Sequence, residues 1–299
     1  MKHLDSLRFI DAIARAGSIR KAAETLAITS TALNRRLLAM EEELGAPIFE
    51  RLPRGVRLST AGELLIHHIR NQISDLDRVR SQIADLAGER RGHISIACSQ
   101  AFLPFFLPEQ ISLYRRDHPA VTFSVHLRDR DAAEQALVDH SADLALVLEP
   151  VRFSDFHTLT VVQQTICAVM SEDHPLAGKE VVRLRDCVPY PIGLPTAAYG
   201  VRHLIDAALM RASFSLPATV ESDSFEFLRR YPTTENLISF QIPIGLPPLG
   251  QDGLCYRPLD LRDVAPGQLL LGQLRGRSLP VAAAKFADQI ARVMTERYS

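Results

Sequence analysis

Four polar side chains at the start of a predicted helix have the chemistry needed to recognise DNA bases: Ser30, Thr31, Asn34 and Arg35. An asparagine amide can pair with N6 and N7 of adenine, and an arginine guanidinium with O6 and N7 of guanine. The N-terminus of a helix also favours a nearby phosphate. The alternative is an ordinary solvated helix face, which the acidic run 41–43 would also fit. If the helix binds DNA, that run must lie away from it.

Two helices separated by a short turn are predicted to position these side chains. Ser18 is the expected N-cap of the shorter helix, and Thr29 is the expected N-cap of the longer one, which Gly45 should end. A preceding helix should end at Gly17. A short helix, a turn and a longer helix form a helix-turn-helix. Apolar residues at helical spacing predict its core: Leu7, Ile10, Ile13, Ala22, Ala23, Leu26, Ala32, Leu33, Leu37, Met40 and Leu44.

A small hairpin is predicted directly after these helices, with strands at 48–51 and 56–58 and a turn at 53–55. Arg54 and Arg57 would lie on its tip and its return strand, where a wing reaches the DNA backbone or the minor groove. The wing therefore favours the DNA-binding interpretation of the preceding helix. The predicted DNA-contacting residues are Ser18, Thr29, Ser30, Thr31, Asn34, Arg35, Arg36, Arg54 and Arg57.

A long helix is predicted after the hairpin, from Thr60 to about Ala87. Thr60 and Glu63 have the spacing of a capping box. A stripe along 28 residues, or roughly 40 Å of helix, requires a partner surface. That partner is either a second copy of the chain or the helix's own domain, and the length favours a dimer. The stripe consists of Ile69, Ile73, Leu76, Ile83 and Ala87, interrupted by Arg80.

The first 65 residues or so resemble the DNA-binding domain of LysR-type transcriptional regulators. The resemblance implies double-stranded DNA and RNA polymerase as partners, and homodimers that commonly pair into homotetramers. Arg35 keeps the family's usual contact position. The family usually has Ser-Gln-Pro-Ala-(Leu/Val)-Ser-Arg where this chain has 29–35, so no particular operator is implied. The matching segments are Ala16-Gly17-Ser18, Ala22-Ala23, Leu44-Gly45, Phe49-Glu50-Arg51 and Thr60-Ala61-Gly62.

The composition fits a globular protein of two or three domains, with 299 residues, 46% of them hydrophobic and 23% charged. No apolar run is long enough to cross a membrane, and charged residues interrupt the first 15 positions, where a signal peptide needs an apolar core. We therefore expect a cytoplasmic protein without membrane contact. Residues 1–91 carry a net charge of +3 and residues 92–299 a net charge of −4. This asymmetry fits a DNA-binding module attached to an acidic body.

Strands alternate with helices from residue 92 onward, which predicts a parallel α/β sheet. In the order of these elements and in the segments GHISIACS (92–99), ADLALVLE (142–149) and SDSFEFLRR (222–230), this region resembles the effector-binding domain of the same family. That domain is built like a periplasmic solute-binding protein, with two subdomains around a cleft. The implied fold class is α/β: a winged helix-turn-helix, a long linker helix and a two-subdomain effector-binding domain. The predicted boundaries are 1–59, 60–88 and 92–299, with subdomain I at about 92–162 and 269–299 and subdomain II at about 163–268.

Polar residues at the carboxyl ends of the predicted strands are candidates for binding a small molecule in that cleft. Hydroxyl groups and N–H groups at helix starts suit a carboxylate or another anionic metabolite, and arginines could add charge pairing. Simple N-capping is the alternative for each serine or threonine. Asp223 argues against a wholly cationic pocket. The predicted effector-binding residues are Ser99, Gln100, Arg128, Thr196, Tyr199, Arg202, Ser222, Ser224 and Pro243.

Other classes of protein are less well supported by the sequence. Ser18 and Lys21 match a serine–lysine hydrolase pattern, but they fall inside the helix-turn-helix, so we expect no enzyme. We also expect no cofactor and no metal site. A thiol-based redox-sensing regulator remains an alternative, as does a solute-binding protein without a role on DNA. The four cysteines (Cys98, Cys167, Cys187 and Cys255) form no C-x-x-C pair, which favours reduced, mostly buried thiols.

Overall fold

The computed structural model describes two compact units. We call Met1–Leu86 with Arg277–Pro280 the head unit, and Ala87–Gly276 with Val281–Ser299 the body unit. The predictions for Ala87 and Gly88 lie outside the described residues. The described residues are 2–86, 91–148, 155–247 and 253–298.

The predicted helix-turn-helix is present in the head unit. The Ser18 hydroxyl accepts a hydrogen bond from the Lys21 N–H at 3.4 Å, and the Thr29 hydroxyl accepts one from the Ala32 N–H at 3.2 Å. Both predicted N-caps are therefore confirmed. Gly45 ends the longer helix with a φ of 73°, which glycine adopts without strain. The elements are α1 (Lys2–Ala16), α2 (Ile19–Thr25), α3 (Ser30–Leu44), β1 (Phe49–Leu52) and β2 (Gly55–Leu58).

The core of the head unit consists largely of the predicted apolar residues. Ile13, Ala22 and Leu33 are fully buried, and they bring one face of each helix into the same cluster. Leu44 is a correction, because it is 45% exposed rather than buried. It is the last residue of α3, where the helix ends. The outward face of α3, which carries the predicted DNA-contacting residues, is thus supported by packing on its opposite side.

The hairpin is held against the turn between α1 and α2. The Val56 N–H donates a hydrogen bond to the Gly17 carbonyl at 2.9 Å. Gly55 has a φ of 110°, and a Cβ atom at this position would collide with the same carbonyl oxygen. Only glycine allows the two backbones to approach this closely. The position of the wing relative to the helices is therefore fixed by backbone contacts.

The long helix α4 (Thr60–Leu86) begins as predicted but has a different N-cap. The Ser59 hydroxyl accepts a hydrogen bond from the Gly62 N–H at 3.0 Å and donates one to the Pro47 carbonyl at 2.5 Å. The predicted capping box between Thr60 and Glu63 is therefore wrong by one residue. Ser59 takes the role because its buried hydroxyl also pairs with the chain before β1, a contact that Thr60 would not make from its exposed position.

The predicted dimer stripe on α4 needs a correction as well. Ile69 is fully buried in the core of the head unit, and Ile73 packs against the same core, so this part of the stripe contacts its own domain. The buried ion pair between Arg70 and Asp11, at 3.0 Å, joins α4 to α1. Among the α4 side chains whose burial the structure describes, the large apolar ones that are exposed are Leu64 (75%), Val79 (41%) and Ile83 (60%).

The body unit contains a mixed five-stranded sheet in the order β4-β3-β5-β12-β6. The prediction of a parallel sheet is correct for β3, β4 and β5 and wrong for β12, which pairs antiparallel with both β5 and β6. The elements are β3 (Gly92–Cys98), α5 (Phe106–Asp117), β4 (Val121–Leu127), α6 (Arg130–Val138), β5 (Leu144–Leu148), β6 (Phe156–Gln164), β7 (Cys167–Ser171), β8 (Gly193–Pro195), α7 (Gly200–Leu209), β9 (Val220–Ser222), α8 (Phe225–Arg230), β10 (Ser239–Gln241), β11 (Leu254–Pro258), β12 (Gly267–Leu274) and α9 (Val281–Tyr298).

Two smaller sheets form the other part of the body unit. One has the order β10-β7-β11 and is antiparallel, and the other is the parallel pair β8-β9. The chain leaves the large sheet after β6 and returns to it at β12, and these two strands pair with each other. Strands β6 and β11 were not predicted from the sequence. The two connections between the large sheet and the smaller sheets therefore lie side by side, one at the end of β6 and the other at the start of β12.

Candidate DNA-reading surface and effector cleft

The predicted reading residues lie at the N-terminal end of α3 with their side chains directed outward. Ser30, Thr31 and Arg35 are exposed, and Asn34 is half-buried. The hydroxyls of Ser18 and Thr29 accept backbone N–H groups as N-caps, which leaves their O–H groups free to donate to a phosphate oxygen. We call Thr29–Arg36 the reading segment. It combines base-reading groups with a helix N-terminus, as the sequence predicts.

The arginines of the head unit differ in their partners. Among the residues that the structure describes, Arg35 and Arg54 have no hydrogen-bond or ion-pair partner, so their guanidinium groups are available to DNA. Arg57 pairs with Glu50 at 2.7 Å, which neutralises it. The Arg36 guanidinium lies 4.5 Å from the centre of the Phe9 ring. Arg35 and Arg54 are therefore the strongest candidates for DNA contacts.

Sequence reasoning missed one residue of this surface, Arg51. Its Nη2 group donates to Oδ1 of Asn34 at 3.4 Å, and this contact links β1 of the wing to the reading segment. The sequence placed Arg51 in the hairpin but offered no signal that its side chain would reach across 17 positions to α3. The bond orients the Asn34 amide, so its N–H groups remain directed away from Arg51.

A narrow cleft lies between the large sheet and the smaller sheets of the body unit. One wall consists of residues after β3, at the start of α6 and at the end of β5. The other wall consists of the start of α7, the start of α8 and the chain after β10. The lining residues are Ser99, Ala101, Arg130, Val147, Leu148, Ala198, Tyr199, Gly200, Val201, Phe225 and Ile242.

The Gln100 side chain crosses between the two walls. Its Nε2 group donates to the Tyr199 hydroxyl at 2.9 Å and to the Asp223 carbonyl, and its Oε1 atom accepts the Phe225 N–H at 2.9 Å. A single amide thus satisfies three groups on the opposite wall. The ring centroids of Tyr199 and Phe225 lie 4.9 Å apart. Gln100 therefore joins the two walls next to the cleft.

Only two of the sequence-predicted effector residues, Ser99 and Tyr199, line the cleft directly, with Gln100 beside them. Arg202 is engaged by Asp206 at 2.9 Å and Glu221 at 2.6 Å. The hydrogen bond to Glu221 is the main cause of its raised pKa, so its charge is compensated. Thr196, Ser222, Ser224 and Pro243 do not line the cleft, and neither does Arg128, whose exposed guanidinium donates to the Leu127 carbonyl.

Arg130 is the cationic residue of the cleft, and sequence reasoning did not identify it. Its side chain is 17% exposed, and its Nε group donates to Asp131 at 2.9 Å. Asp129 caps α6 by accepting the Ala132 N–H at 2.8 Å, so Arg130 is the first residue of the helix. The sequence did contain a signal for Arg130. Asp129 is a typical N-cap residue just after β4, and it makes Arg130 the first residue of a helix at the carboxyl end of a strand, where ligands bind.

The four cysteines are buried. Burial raises the pKa of Cys98 to about 12 and that of Cys167 to about 11. It also raises the pKa of Cys187 to about 12 and lifts that of Cys255 above its ordinary value. The thiolate, which is the form that reacts with peroxide, is therefore disfavoured at neutral pH. The described residues contain no group of three or more potential metal ligands and no helix long and apolar enough to cross a membrane.

We predict that dilute hydrogen peroxide at pH 7 leaves the thiols and the DNA affinity unchanged, because each raised pKa keeps the thiol protonated until the pH is far above 7. Intact-protein mass and DNA binding, measured before and after treatment, test this expectation. Protein unfolded in urea is the control, since its exposed thiols should gain oxygen. Oxidation of a thiol in the folded protein, together with altered DNA binding, would support the redox alternative.

Comparison with known families covers both units. A bacterial regulatory helix-turn-helix of the lysR family matches residues 4–63, and a LysR substrate binding domain matches residues 87–295. The chain belongs to the LysR family of transcriptional regulators. It is a DNA-binding regulator that a small-molecule effector controls, and the fold class predicted from the sequence is confirmed.

Individual relatives are distant. This LysR-family chain is 28% identical over 249 residues to the uncharacterized HTH-type transcriptional regulator YbhD of Escherichia coli K12, covering 83% of this chain and 77% of that one. A full-length OxyR variant from Pseudomonas aeruginosa has a TM-score of 0.73 at 20% identity and covers 96% and 94% of the two chains. The effector binding domain of QuiR in complex with shikimate has a TM-score of 0.60 at 18% identity and covers 70% and 100%. These two structures share the fold.

Proposed function

We propose that this regulator responds to a small organic carboxylate that binds in the cleft between the walls of the body unit. The observation that supports the proposal most strongly is the position of Arg130 in the cleft lining, opposite the start of α7. Arg130 donates to Asp131 through Nε, and within the described residues no acceptor is bonded to its two terminal nitrogens. Those nitrogens can therefore bind the two oxygens of a carboxylate.

The start of α7 provides the second group of donors. Tyr199 precedes this ten-residue helix, and no side chain caps its first N–H groups. Gly200 and Val201 line the cleft, and as the first residues of α7 their N–H groups have no acceptor within the helix and can bind a ligand. A helix N-terminus stabilises a negative charge. The Ser99 hydroxyl on the opposite wall can donate a further hydrogen bond.

The rest of the cleft lining is apolar, which indicates the remainder of the ligand. Val147, Leu148, Phe225 and Ile242 contribute aliphatic and aromatic surface. A ligand with a carboxylate at one end and a compact apolar or ring-shaped body would satisfy both kinds of surface. The shikimate bound by the effector domain of QuiR, which has a similar fold, is a carboxylate of this kind.

Ligand binding would control DNA binding by changing the distance between the two walls of the cleft. The walls are joined by the three hydrogen bonds of Gln100. If the ligand binds more tightly to the protein with one cleft width than with another, it shifts the population toward the first. The free energy of this shift equals the difference between the binding free energies of the two conformations. We propose that this population shift is the regulatory event.

We also propose a homodimer, and a homotetramer built from it, in which the exposed face of α4 formed by Leu64, Val79 and Ile83 contacts a second copy. These three side chains lie on one side of the helix and are at least 41% exposed. The remaining proposals follow from the role on DNA: a cytoplasmic protein that contacts RNA polymerase and has no enzymatic activity and no cofactor.

A ligand screen on the full-length chain tests the carboxylate proposal. Shikimate, benzoate and succinate are compared with their neutral amides by thermal shift, because a bound ligand raises the apparent stability by mass action. At least one carboxylate should raise the Tm while its amide does not. If every amide acts like its acid, the charge is not recognised and the proposal is wrong.

A further inference from the structure

A second cleft opens on the body unit and shares no lining residue with the effector cleft. It lies between the 3₁₀ turn Leu184–Cys187, the chain after α7 and the chain after β11. Its charged lining residues are Arg183, Arg185, Asp186, Arg211, Arg262 and Asp263. The cleft therefore contains more cationic than anionic groups.

Ion pairs within the cleft account for part of this charge. Arg183 binds both carboxylate oxygens of Asp263, at 2.6 and 2.8 Å, and Asp263 also accepts the Leu184 N–H at 2.8 Å. Arg262 binds Asp260 at 2.6 Å. The hydrogen bond from Arg183 lowers the pKa of Asp263, and those from Arg262 lower the pKa of Asp260, so both carboxylates are ionised at neutral pH. These two arginines are neutralised by these pairs.

The Asp186 carboxylate is also paired and does not offset the remaining arginines. It binds Lys179 at 2.7 Å and accepts the Arg183 N–H at 3.0 Å. These contacts form a fixed frame of paired charges around the cleft. What remains is a local excess of two positive charges, which belong to Arg185 and Arg211.

Arg185 and Arg211 have no carboxylate partner among the residues that the structure describes, and both are exposed. The Arg185 guanidinium donates to the Ser213 hydroxyl at 3.1 Å, and its central carbon lies 5.5 Å from the centre of the Phe214 ring. The ring and the hydroxyl hold the guanidinium in place over the cleft. Arg211 lies two positions before Ser213 on the same wall.

We propose that this cleft binds a phosphomonoester dianion, with Arg185 and Arg211 as its ligands. A phosphate dianion matches the local excess of two positive charges, whereas a monocarboxylate would leave one guanidinium uncompensated. Its tetrahedral oxygens offer acceptors to more than one donor, and the planar guanidinium binds such oxygens in pairs.

Isothermal titration calorimetry on the full-length chain tests the proposal, with inorganic phosphate, AMP, adenosine and succinate as probes. Phosphate and AMP should bind and adenosine should not, and tighter binding of AMP would identify a phosphate ester rather than the free ion as the ligand. Arg185→Gln and Arg211→Gln should each weaken phosphate binding by about tenfold or more, because each removes a charge-assisted contact.

Two controls make the result specific. Arg115→Gln removes an exposed charge from α5 outside the cleft and should leave phosphate binding unchanged. Arg130→Gln alters only the effector cleft and should also leave it unchanged, so failure of the carboxylate proposal is distinguishable from failure of this one. Unchanged Tm values show that each variant folds. Absence of phosphate binding, equal losses in Arg115→Gln, or succinate binding as tightly as AMP would each overturn the proposal.

Discussion

Replacing Arg35 with alanine should weaken binding to the specific operator by about 1–3 kcal/mol, since the variant loses a guanidinium able to pair with a guanine edge. The structure supports this size of effect because Arg35 is exposed at the start of α3 and has no intramolecular partner among the described residues. The substitution therefore removes no hydrogen bond or ion pair that Arg35 makes to the part of the chain that the structure describes. Fluorescence anisotropy with operator and random duplexes measures the two affinities, and the preference for the operator should fall.

Arg115→Ala is the matched control for Arg35→Ala. It removes the same charge from an exposed position on α5 in the body unit. Its operator affinity should equal that of the wild type. Carboxylate-induced changes in Tm should be intact in both variants, because Arg35 belongs to the head unit. If Arg35→Ala binds operator and random DNA as the wild type does, α3 is not the recognition helix.

Replacing Arg130 with glutamine should weaken binding of the most tightly bound carboxylate in the ligand screen by about 10- to 100-fold. The change removes a charge-assisted hydrogen bond, worth about 1.5–3 kcal/mol, from a side chain that is largely shielded from water. Glutamine keeps much of the side-chain volume and can still donate hydrogen bonds from its neutral amide, so the charge is the main loss. Calorimetry with the purified chain gives the affinity, and an unchanged Tm without ligand shows that the fold is preserved.

Arg128→Gln provides a control that also separates the sequence-based hypothesis from the structural one. Arg128 was the sequence candidate, but it is exposed and does not line the cleft. Its replacement should leave carboxylate affinity unchanged. The opposite pattern, with a loss in Arg128→Gln and none in Arg130→Gln, would restore the sequence-based assignment and remove the main support for the proposed site.

The helix-turn-helix within the head unit could be predicted almost completely because its signals are local. The N-caps at Ser18 and Thr29 and the end of α3 at Gly45 depend on neighbours within four positions. The error at Ser59 has the opposite origin. Two adjacent hydroxyl residues fit the start of α4, and the bond from Ser59 to the Pro47 carbonyl, 12 positions away, decides between them. The Arg51–Asn34 contact was missed for the same reason.

The body unit was predicted less well, because its site depends on strand pairing over long distances. The antiparallel pairing of β12 with β5 and β6 brings residues more than 100 positions apart into one sheet, and no local pattern encodes it. The choice between Arg128 and Arg130 depends on where α6 begins. The charge of Arg202 suggested a ligand contact, whereas Asp206 and Glu221 already compensate it.

The contact between Gly55 and the Gly17 carbonyl has a consequence for how this regulator can evolve. The frame of the head unit is set by backbone contacts and by a buried core, neither of which includes the side chains of Ser30, Thr31 or Arg35. Substitutions at these three positions can therefore alter operator preference at little cost in folding stability. New binding specificities are accessible by single mutations, while a mutation of Gly55 would be selected against in every regulatory context.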